Sequence, residues 1–127
     1  MAHQSDSGIS SYRDLHVWQR AVELVEEIYR LSALFPNDER FGLTSQIRRA
    51  AVSVPSNVAE GYGRRRKGQY LHHLDIANGS LAEVETQLII AGRLGFIEKD
   101  QAQKAWSLLQ DTGKMLTGLT RSLERTE

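Results

Sequence analysis

The side chains with the plainest chemistry in this chain are cations. Arg64, Arg65, Arg66 and Lys67 follow one another directly, and Arg48 and Arg49 stand a few turns earlier in the same stretch, QIRRAAVSVPSNVAEGYGRRRK over residues 46–67. A guanidinium offers a fork of donors that matches phosphate oxygens, and a run of cations grips a nucleic-acid backbone without reading its sequence. The same run also suits a solvated turn at the negative end of a helix dipole. Between Arg40 and Lys67 there are seven basic residues and one acid, a local +6, while the whole chain has a formal net charge of zero. Zero net charge taken alone argues against a nucleic-acid binder. Fields act only within about a Debye length, ~8–10 Å at physiological salt, so a neutral chain can still present a basic surface. The six residues are therefore candidate contacts to RNA or DNA.

The same stretch carries a polar row. At about 100° per residue, Gln46, Arg49, Ser53, Asn57, Glu60 and Arg64 fall within an arc of roughly 80°. Leu43, Ile47, Ala50, Ala51, Val54 and Val58 occupy the neighbouring arc, so a second helix or subunit would partly cover the row, and its charges must then be paired. Glu60 and Arg64 stand at i,i+4 in the favourable order, and Gln46 and Asn57 can donate and accept. One reading makes Gln46, Ser53, Asn57 and Glu60 an interhelical network that fixes register. The other makes the row a ligand or nucleic-acid site.

Catalytic constellations are thin. A di-iron site in a bundle needs Glu-x-x-His on two helices, and no such spacing occurs. His72 and His73 are adjacent, so on a helix they point about 100° apart and cannot share a metal. His72 and Asp75 read as a surface pair. There is no cysteine, hence no thiol nucleophile, thiolate metal site or disulfide, which fits a reducing, cytoplasmic setting. Ser53 and Ser56 have no histidine on their own helix, and Gly61 and Gly63 are not followed by the Gly-Lys-Ser/Thr of a phosphate loop. The expectation is a non-catalytic protein without metal or cofactor.

The elements that must position these residues are helices. A chain of 127 residues is one domain's worth. Residues 1–10 are polar and expected to be disordered, with no signal peptide or membrane anchor; no later run has the apolar length of a span. The body, 11–127, reads as four helices. In the first, about 14–34, Leu15, Trp18, Val22, Val25, Tyr29 and Ser32 form one apolar stripe and Val17, Ala21, Leu24, Ile28 and Leu31 a second. Two stripes exceed what one neighbour covers, so Val17, Leu24 and Leu31 are expected to owe their character to a subunit contact. Glu23, Glu26 and Glu27 form the solvated side.

The second helix, about 43–62, keeps its apolar phase across Pro55, so a kink is expected there rather than a break, with Gly61 and Gly63 as C-terminal caps. The third, about 67–94, carries Leu74, Ala77, Leu81, Val84, Leu88 and Ala91 in three-four alternation through the turn dipeptide Asn78-Gly79. Unbroken phase favours one helix, with Ala77, Gly79 and Ser80 as a small-residue patch where another backbone approaches. Gly95 ends it, and the fourth helix runs over about 98–124. Connections at 35–42, 63–66 and 95–97 are short, so the fold is all-α, an antiparallel up-down-up-down four-helix bundle.

QIRRAAVSVPSNVAEGYGRR, preceded by DLHVWQRA and followed by IANGSLAEVETQL, resembles the bacterial four-helix-bundle family named after proteins encoded in intervening sequences of large-subunit ribosomal RNA genes. The accessory variability determinants of diversity-generating retroelements are similar proteins. The likeness covers about residues 12–124. It implies a four-helix bundle assembled as a homopentamer and, in the retroelement branch, binding of nucleic acid and of a reverse transcriptase. The chain departs from the pattern at Arg66 and Gln69, where the family has Ser or Thr and an acid, so the capping box that would open the third helix is missing.

Overall fold

The computed structural model describes residues 8–126. Four helices carry the chain: α1 (His16–Ser32), α2 (Leu43–Tyr62), α3 (Lys67–Arg93) and α4 (Gln103–Arg125), with 3-10 turns at Tyr12–Asp14 and Asn37–Glu39. Each helix packs on its neighbours in chain order and α4 closes on α1, so the fold is an all-α four-helix bundle. No helix among the described residues is long and apolar enough to cross a membrane.

Of the tail expected over residues 1–10, residues 1–7 lie outside the described residues. Ile9 packs against the core. The Ser10 backbone N–H donates to Asp14 Oδ2 at 2.8 Å and its hydroxyl at 3.0 Å; these bonds, with one from the Ser11 N–H, hold the Asp14 carboxyl below the usual carboxylate range. Ser11 and Asp14 form a capping box for the first turn, and α1 follows at His16.

Val17, Ala21, Leu24, Ile28 and Leu31 are buried within the single chain. Val17, Leu24 and Leu31 therefore need no partner subunit, contrary to expectation. The surplus apolar surface of α1 lies on its other stripe, where Trp18, Val22 and Val25 are half-buried and Tyr29 is exposed. The acidic side is also narrower than expected. Glu27 is only 4% exposed, its carboxylate hydrogen-bonded by the Arg30 guanidinium, because its position turns toward the interior beside Leu24 and Ile28.

α2 runs unbroken through Pro55, with Val54, Pro55 and Val58 buried. Gly61 is no cap. A Cβ there would lie 2.9 Å from Tyr70 Cδ1 and 3.0 Å from His73 Cβ, so the glycine lets α3 approach closely. Gly63 is the C-cap of α2, its N–H reaching the Ala59 carbonyl at 3.2 Å, but its φ of −76° is an ordinary right-handed value that any residue adopts. α3 crosses Asn78-Gly79 without interruption, as its apolar phase requires. Ala77 and Ser80 are buried, but Gly79 is exposed and a Cβ there would meet nothing within 4 Å, so the small-residue contact excludes it.

At the end of α3, Gly95 takes φ +79° and the Phe96 N–H reaches back to the Ala91 carbonyl at 2.9 Å, the closure that favours glycine. α4 starts at Gln103, later than the expected 98. Residues 99–102 form turns instead, and the Glu98 N–H donates to Gln101 Oε1 at 2.8 Å. Buried Ile97 and Ala102 tie this longer connection to the core.

Candidate nucleic-acid interface

The polar row of α2 meets a matching row on α3. Gln87 Nε2 approaches Gln46 Oε1 at 3.4 Å, Ser80 Oγ donates to Ser53 Oγ at 2.8 Å, and His73 Nδ1 lies 3.0 Å from Asn57 Oδ1. The Asn57 amide nitrogen donates to the Ser53 carbonyl and hydroxyl at 2.9 and 3.0 Å. Its Oδ1 is thus the acceptor, which places a proton on His73 Nδ1. Further along, Glu60 Oε2 lies 3.7 Å from His73 Nε2 and 3.3 Å from Arg64 Nη2. These pairs descend α2 as they climb α3, so the two helices run in opposite directions along this seam.

Ser53, Asn57 and His73 are half-buried and Ser80 is buried, so the centre of the row is an interhelical network. Its ends differ. Gln46 is exposed, and the Glu60 side chain is 59% exposed. Water screens Glu60, so its pairing with Arg64 contributes only about 0–1 kcal/mol. Glu60 is therefore paired, as the sequence pattern implies, but it is not half-buried.

His73, Ser80 and Gln87 were not legible as partners from their types alone. The signal is their spacing: they recur every seven residues, which keeps one stripe of a helix facing one neighbour. The polar heptad runs alongside Leu74, Leu81 and Leu88, whose own repeat masks it.

The six candidate cations divide in two. Arg48 is committed inside the fold: its Nε donates to Ser32 Oγ at 2.7 Å, its Nη2 to the Tyr29 carbonyl at 3.3 Å, and its guanidinium lies over the Tyr29 ring, 4.6 Å from the centroid. That geometry joins α1 to α2 and removes Arg48 from the pool of free cations. Lys67 Nζ donates to the Thr126 carbonyl, tying the start of α3 to the end of α4. Arg64 shares Glu60. The Arg49, Arg65 and Arg66 side chains are exposed and make no hydrogen bond or ion pair among the described residues. Arg66 is the N-cap residue of α3 and supplies no side-chain cap bond, as the missing capping box predicts.

Two open grooves flank the N-terminal half of α2. One, of about 510 Å³, runs between α2 and α3 past Gln46, Arg49, Ser53, Ser80, Glu83 and Gln87. The other, of about 500 Å³, lies on the α1 side and includes Tyr29, Arg40, Ser45, Arg48, Arg49 and Val52. Phe41 borders both. Among the described residues no group of three or more His, Asp or Glu side chains is placed to hold a metal ion.

A crystal structure of a protein of unknown function from the S23 ribosomal protein family of Bacteroides thetaiotaomicron superposes with a TM-score of 0.76. It covers 83% of this chain and 98% of its own at 22% sequence identity, a likeness of fold. No curated protein matches the chain. The profile of one family, described as 23S rRNA-intervening sequence protein, matches residues 13–118. That span takes in α1, α2, α3, the polar seam, every candidate cation and most of α4, and the chain belongs to the 23S rRNA-intervening sequence protein family.

Proposed function

We propose that this protein is a non-catalytic, homo-oligomeric accessory protein that binds nucleic acid through the phosphate backbone. The observation that carries the reading is the concentration of exposed, uncommitted arginines on one element and the turn after it: Arg49 on α2, then Arg65 and Arg66 before α3. Arg64 adds to them, since its pairing with exposed Glu60 is weak. Along α2, Arg49 stands about 20 Å from the helix end at Tyr62, at 1.5 Å per residue, and Arg64, Arg65 and Arg66 follow that end, so the arginines span several phosphates. One subunit has few such contacts, and repetition around an oligomer multiplies weak affinity through effective concentration.

The test is fluorescence anisotropy with a labelled RNA and a labelled DNA across a salt series. Affinity falls steeply between about 50 and 200 mM salt, with a slope near −0.7 to −0.9 per phosphate contacted. Replacing Arg64, Arg65 and Arg66 by Ser flattens that slope and weakens all sequences alike, with the melting temperature and the oligomer mass nearly unchanged. No binding at 50 mM salt, or binding that survives the triple replacement, refutes this role for the arginine run. The protein would then be a protein-interaction scaffold, for which Ile89, Ile90 and Leu94 on the outside of the bundle supply apolar surface.

A further inference from the structure

Phe41 is 86% exposed, well above any other large apolar side chain among the described residues. It is not on a loose tip. The Glu39 N–H donates to the Pro36 carbonyl and the Gly42 N–H to the Glu39 carbonyl, both at 2.9 Å, and Glu39 Oε1 accepts the Leu43 N–H at 3.0 Å. The ring is thus presented by a hydrogen-bonded turn joined directly to α2. The Arg40 guanidinium lies over the ring, 4.8 Å from its centroid, and the high exposure leaves the opposite face to solvent.

The groove between α2 and α3 that Phe41 borders contains a second anomaly. Gln87 is 9% exposed, and its Oε1 is buried without a hydrogen-bond partner. A buried acceptor without a donor is costly, and native structures rarely keep one unless something else satisfies it. That oxygen is closed off from solvent, so the polar side chains that the groove offers are Gln46, Ser53 and Arg49, with an open aromatic ring at its rim.

We propose that Phe41 and the α2–α3 groove beside it form a site for an unpaired base of a single-stranded nucleic acid. The base stacks on the open face of Phe41, its polar edge turns toward Gln46 and Ser53, and its phosphate meets Arg49. Every base has a flat π-face and donors or acceptors on its edge, so aromatic platforms beside cations bind single strands with little sequence preference. A paired base cannot offer its face. This site therefore selects unpaired strands, whereas the arginines at 64–66 read only phosphates. The inference rests on the nucleic-acid reading above and adds a base contact to it.

Anisotropy with a labelled oligoadenylate and a labelled abasic sugar–phosphate strand of equal length separates the two. Phe41→Ala weakens oligoadenylate about tenfold, within the range for losing one stacked base, and leaves the abasic strand unchanged; Phe41→Trp restores the loss. Equal weakening of both strands, or of neither, overturns the stacking site. If the Arg64, Arg65 and Arg66 replacement still weakens both strands in that case, the phosphate-binding reading stands without it. A wild-type protein that binds neither strand at 50 mM salt defeats both. Light scattering on Phe41→Ala guards against a third occupant: a changed oligomer mass makes Phe41 a subunit contact and also overturns the site.

Discussion

Gly61 and Gly79 are both glycines inside long helices, and they do opposite things. At Gly61 an added methyl would press on the Tyr70 ring, the His73 Cβ and, at 3.2 Å, the Tyr70 carbonyl. Neither backbone nor Cβ can swing aside, so α3 would have to move away from α2. Gly61→Ala is expected to destabilise by about 1–3 kcal/mol, overpacking outweighing the gain from replacing a helical glycine. Gly79 meets nothing, so Gly79→Ala is expected to stabilise by about 0.5–1 kcal/mol. Chemical denaturation of the two variants checks both signs; equal effects would refute the close approach at Gly61. Arg48 carries a related lesson at this scale. It has the same side chain as Arg49, yet the hydroxyl of Ser32 and the ring of Tyr29 hold it while its neighbour faces solvent.

At the scale of elements, α3 joins the basic turn to the polar seam. Its first turn has no side-chain cap at Arg66, although the backbone there is already extended, with φ −94° and ψ 133°, as an N-cap requires. The double change Arg66→Ser with Gln69→Glu supplies both halves of a capping box and is expected to add about 0.5–2 kcal/mol. It also removes a cation and adds an acid. A thermal melt should rise while affinity for both RNA and DNA falls; a lower melting point would mean that Arg66 supports the fold. Further along, pairing Gln46 with Gln87, Ser53 with Ser80 and Asn57 with His73 makes the α2–α3 register specific, since a slip of one turn would set these groups against positions such as Ile76, Ala77 and Val84.

For the whole molecule, assembly turns on α1. The stripe of Trp18, Val22, Val25 and Tyr29 stays half-buried or exposed after the bundle is complete, and it is continuous with the groove that holds Arg48 and Val52 through Tyr29. A homopentamer is expected to use this surface. Multi-angle light scattering at micromolar concentration should report five times the 14.3 kDa chain mass, and Val22→Glu should lower it without unfolding the subunit. A monomer mass for the wild type would refute the oligomer. Val17, Leu24 and Leu31, which are core residues, would not be left unexplained by it.

By itself the sequence determined the four helices, the continuity of α3 through Asn78-Gly79, the start of α2 and the uncapped start of α3. Each depends on local spacing, and a periodic apolar face or a missing cap is legible wherever the chain sits. It also singled out Ser53 and Asn57 as polar positions beside an apolar arc that required partners, and left open whether those were another helix or a ligand. Tertiary structure alone decided who those partners were, since His73, Ser80 and Gln87 are distant in the chain and meet α2 only when the two helices pack in opposite directions. The same holds for the cations. Six basic side chains are chemically alike in sequence, and only the approach of Ser32 and Tyr29 to Arg48, and of Thr126 to Lys67, separates those spent on the fold from those left facing solvent.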